Sequence, residues 1–175
     1  DSSGNVGIGT TSPSETLTVT KGSGDLVKFS RTGTGNSRVL TLQSGRATGG
    51  TTSNTVTFEN ASGTVVGTIQ NNVSSTSYNT SSDYRLKENA VAISDGITRL
   101  KTLKPYRFNF KVDASTTVDG FFAHEVTAVP EAISGTKDQV DSDNNPIYQG
   151  IDQSKLVPLL VAAVQELIGK VEALE

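Results

Sequence analysis

Short runs in which hydrophobic and polar residues alternate mark the first seventy residues of the chain. Each run places two hydrophobic side chains on one face of an extended backbone, and Gly, Ser, Asn or Thr residues bound it. One thin hydrophobic face per chain suits a ribbon of strands that packs against copies of itself; a small monomeric sandwich is the alternative. The pattern predicts short strands at residues 16–20, 26–30, 38–43, 55–59 and 64–69.

After residue 81 the hydrophobic spacing changes. Residues 95–103 have helical spacing, and Pro105 ends the predicted helix. Alternating aromatic residues predict a strand at residues 106–111. The pattern further predicts a strand at residues 118–123, a short helical segment before Pro130, and a hairpin within residues 139–152 around the turn Asn144-Asn145-Pro146.

The last predicted element is a helix that begins near Ser154 and runs to the end of the chain. Pro158 fits only in its first turn, where backbone amides have no partner within the helix. Hydrophobic residues then recur at the heptad spacing of a coiled coil, at Val157, Leu160, Val164, Leu167, Val171 and Leu174. We expect this heptad seam to meet neighbouring chains, while a second face at Leu159, Val161 and Ile168 covers its own domain; packing of the whole helix on that domain is the alternative.

Composition divides the chain at the same place as the pattern. Residues 1–81 hold 19 hydrophobic residues and 50 of Ser, Thr, Asn or Gly, whereas residues 82–175 hold 40 hydrophobic residues. So few hydrophobic side chains cannot bury a core in one chain against the entropy of ordering its backbone. The sequence therefore predicts an α+β protein in three segments: a β-rich stalk at 1–70, a polar linker at 71–81 and a small mixed domain at 82–175 that ends in the heptad helix.

Charge and residue content exclude several classes of site. A net charge of −3 without clustered Lys or Arg argues against a nucleic-acid surface, and no stretch is long and hydrophobic enough to cross a membrane. With no cysteine and one histidine, we expect no metal site and no cofactor. The glycine pairs at 22–24, 33–35 and 49–50 do not open a helix after a strand, so they do not predict a phosphate-binding loop.

A serine and a lysine five positions apart, Ser82 and Lys87, form the one plausible catalytic pair. A serine hydroxyl needs a base near neutral pH, and a lysine serves as that base when burial or a neighbouring cation such as Arg85 lowers its pKa. This spacing requires a bend in the chain or a lysine from a neighbouring chain. The ordinary interpretation is a turn or helix cap at Ser82 followed by an exposed charged face.

Four motifs in residues 82–175 together resemble a known family. They are SDYRLKEN at 82–89, LKPY at 103–106, DGFFAHEV at 119–126 and LVPLLVAAVQEL at 156–167. They resemble the C-terminal intramolecular chaperone of phage endosialidases and tail fibres, and a similar self-cleaving module occurs in myelin regulatory factor. The segment VGIGTTSP at 6–13 also looks like tail-fibre sequence.

The resemblance implies a homotrimer on a phage tail fibre, assembled in the host cytoplasm. The chaperone would guide three interwoven stalks to fold and then cut itself off, with the stalk of the same polypeptide as client and substrate. The break would lie between Ser81 and Ser82. Ser82 either attacks the Ser81 carbonyl of its own chain, with Lys87 as the base, or attacks another chain. His124 is a further active-site candidate, and Glu125 is a weaker one.

Two other classes of function are compatible with parts of the sequence. A non-catalytic trimeric adhesin would bind a host-surface glycan or receptor through residues 1–81 and use the C-terminal part as a clamp. It predicts an exposed aromatic cluster on the stalk and no cleavage. A self-released transcription factor would need a basic DNA-binding domain and a membrane span, and residues 1–175 contain neither.

Overall fold

A computed structural model of the chain describes residues 2, 4–22, 26–30, 38–43 and 52–174. The chain divides into two units: the N-terminal unit, Asp1–Leu86, and the C-terminal unit, Lys87–Glu175. The strands form small sheets of two or three strands, and the chain ends in a long helix. The predicted α+β class is therefore confirmed.

A short parallel pair of strands opens the N-terminal unit. Strand β1 (Val6–Ile8) pairs with β2 (Leu17–Val19), so that Val6 lies opposite Leu17. Gly9 follows β1 with φ +80°, and a Cβ there would clash with the Thr20 carbonyl oxygen. Glycine is therefore required for the chain to turn this close to the end of β2.

A three-stranded antiparallel sheet lies in the later part of the N-terminal unit. Its strands are β3 (Ser53–Glu59), β4 (Val65–Asn71) and β5 (Thr76–Thr80), with β4 in the centre. The turn between β3 and β4 is held by the Asn60 side chain, which accepts the amides of Ser62 at 3.1 Å and Thr64 at 3.0 Å. Strand β5 lies in the segment predicted to be a linker: its residues are polar, but they pair with β4 along their whole length.

Three of the five strands predicted for this unit are present and two predictions are wrong. Residues 26–30 and 38–43 form no strand. A strand exists through hydrogen bonds to a neighbour, and among the described residues neither run has a paired strand. Of the glycine pairs excluded as phosphate loops, those at 33–35 and 49–50 lie outside the described residues.

Burial differs sharply between the two units. Among the described residues of the N-terminal unit, no hydrophobic side chain is buried, and Thr68 is the one buried residue. The C-terminal unit holds the core, a cluster of hydrophobic residues around the start of the last helix: Val126, Val129, Ala132, Leu156 and Leu159. Among the residues that the structure describes, a buried hydrophobic interior is therefore found in the second unit and not in the first.

The elements of the C-terminal unit follow the predicted order. Helix α1 (Gly96–Leu100) is followed by a hairpin of β6 (Tyr106–Phe110) and β7 (Asp113–Gly120). Strand β7 begins at Asp113, earlier than the predicted strand at 118–123. A 3₁₀ turn at Ala123–Glu125 corresponds to the predicted helical segment before Pro130. Two-residue strands β8 (Ile133–Ser134) and β9 (Gly150–Ile151) then pair, and the chain ends in α2 (Val157–Glu172).

The predicted hairpin at residues 139–152 is reduced to one bridge between Val140 and Pro146. The Asp141 side chain accepts the amides of Asp143 and Asn145, both at 2.9 Å, and Asn144 adopts φ +66°. A side chain that holds its own loop competes with strand pairing. The predicted turn is therefore present, whereas the strands beside it are not.

Helix α2 packs on the core with one narrow face. Its buried residues are Leu159, Ala162 and Ala163, whereas Val161 and Ile168, predicted to cover the domain, are each 50% exposed. Small residues face α1 because the helices approach closely: a Cβ on Gly96 would lie 2.5 Å from the Ala163 nitrogen. None of the described helices has the length and hydropathy needed to span a membrane.

Candidate active site

The predicted break lies where the β3–β4–β5 sheet ends. The Ser81 amide donates to the Val66 carbonyl at 3.0 Å, and the Ser81 hydroxyl donates to the Val65 carbonyl at 3.3 Å. These two bonds extend the pairing of β5 with β4 by one residue. The residue before the predicted break is therefore held by the sheet, and Ser82, which is exposed, is the first residue beyond it.

A tight turn follows Ser82. Residues Tyr84–Leu86 form a 3₁₀ turn, closed by the Leu86 amide donating to the Asp83 carbonyl at 3.1 Å. The Asp83 carboxylate accepts the Arg85 amide at 2.8 Å and binds the Arg85 guanidinium through both oxygens, at 2.9 and 2.8 Å. These bonds lower the pKa of Asp83 below its ordinary value and raise that of Arg85.

This ion pair changes the role expected for Arg85. The sequence suggested that its positive charge helps to lower the pKa of Lys87. In the structure the guanidinium is bound to a carboxylate of opposite charge at 2.8 Å, so most of its field is compensated there. Asp83 is therefore the partner of Arg85 in the structure, and an effect of Arg85 on the lysine stays a prediction.

The candidate nucleophile and base fall in different units. Ser82 belongs to Asp1–Leu86, and Lys87 is the first residue of Lys87–Glu175. Both side chains are exposed, and both make polar interactions. The pairing of the Ser82 hydroxyl with the Lys87 amine stays a prediction.

His124 lies on the 3₁₀ turn Ala123–Glu125, within an aromatic surface of the C-terminal unit. Its ring stacks on Phe122 with 6.1 Å between the ring centroids, and Phe122 in turn lies 4.9 Å from Tyr106 and 6.0 Å from Phe108. Phe108, Phe122 and His124 line a groove of ≈ 710 Å³, together with Tyr148. His124 is therefore exposed beside aromatic rings, and its role in catalysis stays a prediction.

Glu125 lies beside Lys104 and Tyr106 in the C-terminal unit. Its Oε1 accepts the Lys104 ammonium at 3.1 Å. The nearby Tyr106 hydroxyl and then Lys104 lower its pKa below the ordinary value. Its second oxygen, Oε2, is buried and has no hydrogen-bond partner among the residues that the structure describes. An active-site role for Glu125 stays a prediction, weaker than that for His124.

One protein family matches the part of the chain that begins at the predicted break. Residues 82–134 match the peptidase family described as the chaperone of endosialidase. The match covers less than half of the chain and includes Ser82, Lys87 and His124. It confirms the resemblance seen in the motifs at 82–89, 103–106 and 119–126. No curated protein matches the chain significantly.

The chaperone-of-endosialidase family suggests the broad role of this segment. It points to an intramolecular chaperone in phage tail proteins, with a domain of the self-cleaving serine peptidase type. Within the described residues, no group of three or more His, Asp or Glu side chains is arranged to hold a metal ion.

Sequence reasoning missed the partners of two candidate residues. The sequence pattern predicts neither the pairing of Asp83 with Arg85 nor that of Lys104 with Glu125. The spacing of Asp83 and Arg85 across one turn carried a signal for their pairing. For Lys104 and Glu125 no signal exists, because 21 residues and a hairpin separate them.

Proposed function

We propose that the C-terminal segment is an intramolecular chaperone that directs folding of the N-terminal stalk as a homotrimer on a phage tail fibre. It then releases itself by cutting the chain between Ser81 and Ser82. The observation that carries the proposal is that the family match begins at Ser82, the first residue beyond the stalk sheet.

The burial pattern supports the proposal that the N-terminal stalk cannot fold as a single chain. The described residues of the N-terminal unit bury no hydrophobic side chain, and Phe58 and Leu17 are 52% and 60% exposed. Burial of hydrophobic surface is the main favourable term in folding, at about 25 cal/mol per Å². A stalk with this composition gains that term by sharing its interior with other copies.

The C-terminal helix supplies a surface on which copies can meet. The heptad residues within α2 remain about half exposed, from 44% at Leu160 to 55% at Leu167. Their spacing is that of a coiled-coil seam, in which each side chain packs into a hole on a neighbouring helix. We infer that this seam joins the three chaperone segments and brings the three stalks into register.

The proposed cleavage is an acyl shift followed by hydrolysis. Lys87 removes the proton of the Ser82 hydroxyl, whose oxygen attacks the Ser81 carbonyl carbon. The peptide C–N bond breaks, the Ser82 nitrogen takes a proton, and an ester joins the Ser81 acyl group to the Ser82 oxygen. Water then hydrolyses this ester to a Ser81 carboxylate and a free Ser82 hydroxyl. Attack within one chain gains from proximity, whereas Ser82 of a neighbouring chain is the alternative.

Mass spectrometry of the purified chain tests the proposal. Wild type should yield two fragments that meet between Ser81 and Ser82, and Ser82→Ala should stay whole. Lys87→Arg should also stay whole, because guanidinium keeps its proton at working pH. Ser74→Ala is the matched control, because its hydroxyl bonds the Asn72 side chain in the turn between β4 and β5 and no residue of the break. Cleavage of Ser82→Ala at the wild-type rate would refute the proposal.

A non-catalytic adhesin is favoured by one observation. Each described aromatic residue of the stalk that precedes Ser81 is exposed: Phe29 by 61%, Phe58 by 52% and Tyr78 by 79%. Exposed aromatic rings are common where proteins bind sugars or other proteins. This function predicts that the wild-type chain stays whole, and the same mass measurement separates the two proposals.

A further inference from the structure

We infer that Asp83 and Arg85 are positioning residues for the cleavage, because their ion pair fixes the turn between the candidate serine and the candidate lysine. This inference rests on the proposed function and deepens it. In this role the pair sets the backbone conformation beside the reacting bond and takes no direct part in the chemistry.

The spacing of Ser82 and Lys87 requires a bend. Five residues of extended chain span roughly 17 Å, whereas proton transfer needs a hydrogen bond of about 3 Å. The turn Tyr84–Leu86 occupies three of the four positions between them. A bend that lets the two side chains of one molecule meet therefore lies within residues 83–86, most of which this turn occupies.

The Asp83 side chain holds the turn in two separate ways. It accepts the Arg85 backbone amide at 2.8 Å, which caps the turn, and it binds the Arg85 guanidinium through two parallel bonds. A two-point pair of this kind fixes direction as well as distance. Residue 85 is thus held through both its backbone and its side chain.

The inference predicts a specific order of cleavage rates. Asp83→Asn keeps an oxygen for the Arg85 amide but loses the ion pair, and Arg85→Ala has the same effect. These two variants should be slowed equally, and the double variant no further than either one. Asp83→Ala loses the cap as well, so it should be the slowest, on the order of ten- to hundredfold below wild type.

The pH dependence separates positioning from an electrostatic role. If the pair only positions, the midpoint of the pH–rate profile stays at its wild-type value in all three single variants. If Arg85 acted on the lysine through its charge, Arg85→Ala would move the midpoint to higher pH. Asp83→Asn would then move it to lower pH, because it would free the guanidinium from its counter-charge.

The assay follows loss of the whole chain during cell-free synthesis. The sequence contains no methionine, so labelled leucine marks the product. Samples taken over time at several pH values are separated on a denaturing gel. Arg107→Ala is the matched control, because it breaks a two-point pair with Asp119, at 2.8 and 3.0 Å, whose arginine is as exposed as Arg85. Circular dichroism of each variant combined with Ser82→Ala reports its folding.

Equal slowing of Asp83→Asn and Arg85→Ala, with an unchanged midpoint and a normal Arg107→Ala, supports the inference. Wild-type rates in the Asp83 and Arg85 variants overturn it, as do opposite shifts of the midpoint or equal slowing of Arg107→Ala. A wild-type chain that stays whole refutes the proposed function itself, and the positioning role with it.

Discussion

The close approach of α1 to α2 predicts opposite effects for the same substitution at two glycines. An added Cβ at Gly96 would lie 2.5 Å from the Ala163 nitrogen and 2.8 Å from the Ala162 carbonyl carbon. Both are backbone atoms of α2, so they cannot rotate aside. At Gly169, in the same helix α2, a Cβ would meet no atom within 4 Å.

The magnitudes decide the sign at each position. Gly→Ala favours a helix by about 0.5–1 kcal/mol because the unfolded chain loses freedom. At Gly96 the helices must also separate by roughly an ångström, and overpacking of this kind costs about 1–3 kcal/mol. Gly96→Ala should therefore destabilise the C-terminal unit by about 1–2 kcal/mol, whereas Gly169→Ala should stabilise it by up to about 1 kcal/mol.

Urea unfolding followed by the helical signal in circular dichroism measures both effects. The Ser82→Ala background keeps the chain whole during the measurement. With a slope of about 1–3 kcal/mol per molar urea, the Gly96→Ala midpoint should fall by about 1 M and the Gly169→Ala midpoint should rise. A Gly96→Ala midpoint at or above that of the background would contradict the helix approach described above.

Three further predictions concern the same unit. Glu166→Gln should destabilise it by about 1–2 kcal/mol, because the carboxylate of α2 accepts two backbone amides at the start of α1; unfolding of Glu172→Gln is the control. Leu159→Ala should lower the free energy of unfolding by about 2–5 kcal/mol in the same urea assay, because the Leu159 side chain is only 2% exposed. Val161→Ala is the control: this side chain of the same helix is half exposed, so its loss should lower the free energy of unfolding much less. The pKa of Glu125 is lowered in the folded state, chiefly by its hydrogen bond with Tyr106. The ionised Glu125 therefore stabilises the fold fully above its unfolded pKa near 4.5, and this stabilisation is lost as the pH falls through the lower folded pKa. Unfolding midpoints between pH 3 and pH 6 should therefore depend less on pH in Glu125→Gln, and an unchanged slope would contradict this.

Elements that carry a strong local pattern could be predicted from the sequence. Helix α2 and strand β6 follow from their spacing alone, and Pro105 lies between α1 and β6 as expected. The strand predictions at 26–30 and 38–43 failed because pairing depends on a distant partner that spacing does not report. Strand β5 could not be predicted because its polar residues show no alternating pattern, and the strand forms only through its pairing with β4.

In the candidate site, too, the residues could be predicted from the sequence and their contacts could not. Ser82, Lys87 and His124 could be named from motifs and from the chemistry of a serine nucleophile. The contacts that shape their surroundings could not, because the two-point pairing of Asp83 with Arg85 depends on a turn geometry that sequence spacing leaves open. The Lys104–Glu125 pair joins elements separated by a whole hairpin.

The anchoring of Ser81 to β4 has a consequence for the product of the proposed break. Its amide and hydroxyl bind the Val66 and Val65 carbonyls, so the newly made terminus would already be part of a sheet. Exopeptidases need a few loose residues to begin digestion, and loose ends are where most domains are attacked first. A fibre cut at this position would therefore have no loose C-terminal residues at which host exopeptidases could begin digestion.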